Sequence, residues 1–169
     1  RVQCDGDDEA DVKYRMVIAQ SVFSSLSNLW SDHRLPLSMK LRLYRLAVCS
    51  TLTHACEAWN MTDKIHKKVN GFNSRCLHII TKEDYRTTAT NPAFNLILAI
   101  RRRRLRFLGH VLRMDTTRLV RRTFIAYVHN GTDIPAGSLM QDCDHMSIED
   151  LTFIASDRKA WQRRVKALS

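Results

Sequence analysis

Glycine and proline are scarce, at five and three in 169 residues. A many-stranded β architecture needs turn formers every ~8–12 residues, so this shortage excludes it and favours helices. The cysteines, Cys4, Cys49, Cys56, Cys76 and Cys143, are odd in number and include no C-x-x-C pair. That speaks against a disulfide framework and for reduced thiols in an intracellular protein. No apolar run approaches the ~20 residues that span a bilayer, so no membrane partner is expected. There is no signal-peptide pattern, and a chain opening on Arg1 instead of Met is expected to be a piece of something longer.

Catalytic signatures are missing too. There is no G-x-x-x-x-G-K-[ST], G-x-G-x-x-G or H-E-x-x-H, no nucleophile elbow, and no pair of carboxylates in an apolar strand. The best metal candidate is Asp142-Cys143-Asp144-His145, with Cys49, His54 and Cys56 in one segment and Cys76 and His78 in the next. None has the spacing of a four-ligand zinc site, and cysteines are more often buried small apolar groups. The chain is expected to be no enzyme and to hold no metal or cofactor.

What the sequence does have is a 44% hydrophobic content, enough for a core, and a net charge of +10. Residues 101–122, RRRRLRFLGHVLRMDTTRLVRR, hold nine of the 27 basic residues and one of the 17 acids, Asp115. The excess charge is therefore local, which suggests a site for a polyanion, nucleic acid before membrane surface.

Apolar residues recur at helical spacing along most of the chain. Val12, Met16, Ala19, Phe23, Leu26 and Trp30 define a helix from about Asp8. Leu41, Tyr44, Val48, Leu52, Ala55 and Trp59 define a second, capped by Ser38. Ile65, Val69, Phe72, Cys76 and Ile79 or Ile80 define a third, capped by Thr62. Asn91-Pro92 reads as the start of a fourth helix reaching Met114, with an interruption near the arginines. A fifth helix is expected over 117–128, a loop over 129–146, and two short final helices capped by Ser147 and Ser156. The expectation is an all-α fold of six to seven helices.

On a helix through 97–114, Ile97, Leu105, Leu108, Val111 and Leu112 share one arc, while Arg102, Arg103, Arg106, His110 and Arg113 share the opposite one. Arg101 and Arg104 fall within the apolar arc, which either bends the helix or sets two guanidiniums in a groove. A solvated face usually interleaves signs to gain i,i+4 pairs. This face has no acids of its own, and phosphates would relieve its self-repulsion. Gly109 costs about 1 kcal/mol against alanine in a helix interior, and is expected to permit the close approach of another helix or of a nucleic-acid strand.

RRLRFLGHVLRM followed by RLVRR resembles the C-terminal region of the endonuclease–reverse transcriptases of LINE-type (non-LTR) retrotransposons, in particular the RTE-like group. Four other segments are similar in the same order. They are DEADVKYRMVIAQSVFSSLSNLW, the E-x-W of Glu57 and Trp59, the F-x-x-R-C-L step of Phe72, Arg75, Cys76 and Leu77, and the D-R-x-x-W of Asp157, Arg158 and Trp161. The chain departs from the family at His54, Ala55 and Ala58, and in GTDIPAGSLM, which lacks the family's arginines.

The resemblance implies thumb-like helices over residues 1–60 and a basic helical region over 61–169. It also implies a polymerase palm, with its magnesium-binding aspartates, upstream in a parent RNA-directed DNA polymerase of the nucleus or of a cytoplasmic ribonucleoprotein. The implied partners are RNA or DNA and the upstream domains of the same polyprotein. Arg102, Arg106 and Arg113 are expected to bind backbone phosphates, Arg103, Arg118, Arg121 and Arg122 to extend the track, and His110 or aromatics to meet bases. The competing expectation is a helical module that only braces the parent polymerase.

Overall fold

The computed structural model describes residues 8–83, 94–129, 141–144 and 146–168. Among these the fold is all-α, with no strand. The chain divides into two compact units, one of residues 1–55 and 63–97, the other of 56–62 and 98–169. The longer break between them falls near residue 97, and the short segment 56–62 packs with the later part of the chain.

In the first unit α1 (Asp8–Ser25) begins where the spacing places it, but the single helix expected through Trp30 is interrupted at Leu26, and α2 (Ser27–Ser31) follows. Val12, Ala19, Phe23 and Trp30 are buried. The Trp30 ring stacks on Phe23 at 5.2 Å, and its indole N–H donates to the Phe23 carbonyl at 2.8 Å. The next helix, α3, starts at Leu37 behind Pro36, so Ser38 lies inside it and makes no cap. Proline's fixed φ makes it a ready helix-starting residue. From Tyr44 to Cys49 α3 widens into a π-turn before closing at Ser50–Leu52. Ala55, expected inward, is exposed with φ 60°, which ends the helical run. Lys40 reaches back along its stem to donate to the Trp30 carbonyl at 2.8 Å and is buried in doing so.

The next helix, α4 (Asp63–Thr81), runs unbroken through Gly71. Ile65, Val69, Phe72, Cys76, Leu77 and Ile80 face inward, and Ile79 is exposed. Tyr44 donates its hydroxyl hydrogen to Asn73 Oδ1 at 2.9 Å, tying α3 to α4. Glu9 of α1 gathers Lys13, Lys64 and Lys68, which together hold its carboxyl at about 2.

The second unit contains most of α5 (Leu96–Leu112), then α6 (Leu119–His129), α7 (Ile148–Ser156) and α8 (Arg158–Ala167). Its core joins Leu105, Leu108 and Leu112 to Cys143, Leu151, Ala155, Trp161 and Val165. Ser147 caps α7 as expected, accepting from the Asp150 N–H. The cap of α8 is Asp157, which accepts from the Lys159 N–H at 2.8 Å, and not Ser156. The Asn91-Pro92 start lies outside the described residues, as does most of the 129–146 loop.

Candidate nucleic-acid interface

The expected interruption near the arginines does not occur: α5 is continuous through all of them. The two arginines on its apolar side are accommodated because acids from a distant segment reach them. Arg104 is 2% exposed and pairs with Asp142 at 2.9 Å. Arg101 pairs with the other oxygen of Asp142 at 3.3 Å and donates to the Asp142 carbonyl at 2.9 Å. Asp144 adds contacts to Arg101 at 3.4 Å and to Arg164 at 3.0 Å. A buried guanidinium is tolerable only when paired and hydrogen-bonded, and this network supplies the partner.

The outward arc divides in two. Arg102 donates to the Leu168 carbonyl at 2.7 Å, Arg103 to Glu57 at 3.0 Å and Arg113 to the Ala155 carbonyl at 3.1 Å. Burial, and then the nearby charge of Arg158, lower the pKa of Arg113. Arg121 donates to the Met114 carbonyl. These four residues of the expected phosphate track are thus engaged within the unit.

Arg106, His110, Arg118 and Arg122 are instead exposed. Arg118 backs Asp115, whose carboxyl is held below its usual range first by the Thr117 hydroxyl and N–H and then by Arg118 and Arg121. The self-repulsion inferred from the absence of acids is therefore partly relieved by Glu57, Asp142 and Asp144, which are distant in sequence.

Gly109 explains how α5 meets α8. A β-carbon there would fall 2.6 Å from Cδ1 and Cε2 of Trp161 and nearer still to Nε1. The indole lies flush on the helix and donates to the Leu105 carbonyl at 2.9 Å. Contacts run from Arg102 with Leu168 to Gly109 with Trp161, so α5 and α8 point in opposite directions, and Arg113 meets Ala155 of the preceding α7. The close approach permitted by Gly109 is that of a helix.

This pairing adds basic residues that the sequence reading left out. Arg158, Lys159, Arg163 and Lys166 of α8 are exposed. Their signal was available, since DRKAWQRRVKA carries five basic residues and, after its cap, no acid. Neither α5 nor α8 contains a carboxylate.

Burial pushes the thiols of Cys56 and Cys143 up to about 12. Among the described residues no group of three or more His, Cys, Asp or Glu could hold a metal, and His145 lies outside them. No described helix is long and apolar enough to cross a membrane. No protein-family model, curated protein or solved structure matches the chain.

Proposed function

We propose that this chain binds nucleic acid through backbone phosphates, as the helical C-terminal portion of a LINE-type reverse transcriptase. It grips template RNA or target DNA for the polymerase domains of the same polyprotein and itself carries no catalytic group. The observation that carries the reading is the α5–α8 pair. Two antiparallel helices without a carboxylate leave Arg106, Arg158, Lys159, Arg163 and Lys166 exposed on one unit. Guanidiniums and ammoniums arrayed this way suit phosphate, which is contacted for position and not for sequence. Arg118 and Arg122 at the start of α6 extend the basic surface. The resemblance supports the same reading, because Glu57 with Arg103 and Gly109 with Trp161 join segments that carry it.

A second reading, a bracing module, is favoured by one specific observation: Arg101–Arg104, Arg113 and Arg121 all bond within the unit. One experiment separates the two. The affinities of a labelled RNA hairpin and a DNA duplex are measured across a salt series for the native chain and for Arg106/Arg158/Arg163→Ala. Each lost phosphate contact lowers the log–log slope by roughly 0.7–0.9, so the triple variant is expected to lose roughly 2–3 units of slope. Absent binding, or equal slopes, leaves the bracing module as the account.

A further inference from the structure

A pocket of 230 Å³ opens in the first unit beside one face of α4. His66, Asn70, Asn73 and Ser74 fall at helical spacing along that face, and Phe94 and Asn95 close the other side. No carboxylate, lysine or arginine lines it. At about 30 Å³ per water it holds roughly eight waters, below the ~300 Å³ at which drug-sized ligand sites begin. The space therefore has room for a ligand the size of one ring system.

Asn73 makes the wall specific. It is 7% exposed, and its amide orientation is fixed: Nδ2 donates to the Phe94 carbonyl at 2.8 Å, and Oδ1 accepts from Tyr44 at 2.9 Å. A carbonyl can only accept, so the two ends of the amide cannot be exchanged. One N–H and one lone pair remain for a ligand. Tyr44, which sets this orientation, opens the π-turn of α3, a departure from α-geometry that often accompanies functional sites. Phe94 contributes an aromatic ring over which the Arg45 guanidinium sits at 4.9 Å, a cation–π contact that holds the ring. Asn70 is exposed beside it and carries a further carboxamide.

We infer that this pocket takes one unstacked nucleobase, held by carboxamide hydrogen bonds to its edge and by the Phe94 ring. Asparagine presents a donor and an acceptor side by side, the pattern that a base edge complements. Single-stranded segments bind proteins through splayed bases stacked on aromatic side chains. The inference rests on the proposal that the partner is nucleic acid. It adds base contacts that the arginine surface, which meets phosphates, does not supply.

Adenosine, guanosine, cytidine and uridine are titrated in turn into the full chain, with the asparagine side-chain amides followed by ¹⁵N NMR. Nucleosides carry no phosphate, so the arginines add no charge attraction. At least one nucleoside is expected to shift the Asn70 and Asn73 amides saturably. Phe94→Leu and, separately, Asn70→Ala should weaken that binding by roughly five- to a hundredfold. Arg106/Arg158/Arg163→Ala should bind the nucleoside as the native chain does. Failure of all four nucleosides to give a saturable shift, or binding unchanged in both pocket variants, overturns the inference. Nucleoside binding in a chain whose oligonucleotide salt slope is unmoved by the arginine variant upholds the pocket and removes the phosphate track. A slope that falls without nucleoside binding removes the pocket alone.

Discussion

Gly109 makes the sharpest case for one residue deciding an arrangement. Alanine there gains about 1 kcal/mol of helix propensity but drives a methyl into a rigid indole. The indole is held by its bond to Leu105 and has no flexible end to give way. Overpacking of this kind costs about 1–3 kcal/mol, so Gly109→Ala is expected to be destabilised despite the better helix former. Urea unfolding tests this, and a variant as stable as the parent would show that Trp161 is not confined. Gly109 is anomalous in the sequence itself, and a close approach accounts for it. The sequence does not choose the approaching partner, because Trp161 lies 52 positions further along and only the fold brings it back.

At the scale of the element, α5 carries two arginines two positions apart with opposite surroundings. Arg104 is buried against Asp142, whereas Arg106 is exposed. Removing one partner of a buried pair costs about 3–5 kcal/mol where the other charge is left stranded, but here Asp142 keeps Arg101. Arg104→Met should therefore lose stability by less than that while leaving the slope of the nucleic-acid salt dependence unchanged. Arg106→Ala should leave the unfolding midpoint alone and lower the slope by roughly 0.7–0.9. Chemical denaturation and the salt titration, run on both variants, would expose any exchange of these roles.

Periodicity placed both residues correctly, Arg104 in the apolar arc and Arg106 outside it. The acids that neutralise the run were not legible, since Glu57, Asp142 and Asp144 are 38 or more residues away. Charge pairing at that range depends on packing, not on pattern. The element boundaries show the same limit. The α1 start at Asp8 and the Ser147 cap are local signals and were readable. The π-turn of α3 and the displaced caps at Pro36 and Asp157 depend on neighbours or on competition between adjacent residues.

For the whole molecule, the described cysteines report on each unit separately. Cys49 and Cys76 lie in the first and Cys56 and Cys143 in the second. Burial pushes Cys49 up to about 11 and the others to about 12, and only the thiolate is nucleophilic. Near neutral pH Cys56, Cys76 and Cys143, which are buried, are expected to react with a thiol reagent only as their own unit opens, whereas Cys49 is half-buried. Mass spectrometry of labelled peptides along a urea series would then show whether Cys76 of the first unit and the two cysteines of the second become reactive together or in succession. Fast labelling of any of these three under native conditions would contradict their burial. The all-α class was readable from scarce glycine and from period, but the division into units was not, because a split near 97 falls within one continuous helix.

The second unit borrows Cys56–Thr62 from an early stretch of the chain, Glu57 and the fully buried Trp59 among them. During synthesis these residues emerge long before the helix they serve. Glu57 precedes Arg103 by 46 positions. A ribosome therefore releases the first unit's helices with Cys56–Thr62 between them, and Glu57 meets Arg103 only once translation has passed the arginine run. The order of manufacture and the order of assembly differ here, and a ribosome stalled before residue 98 would present this segment ahead of the unit it belongs to.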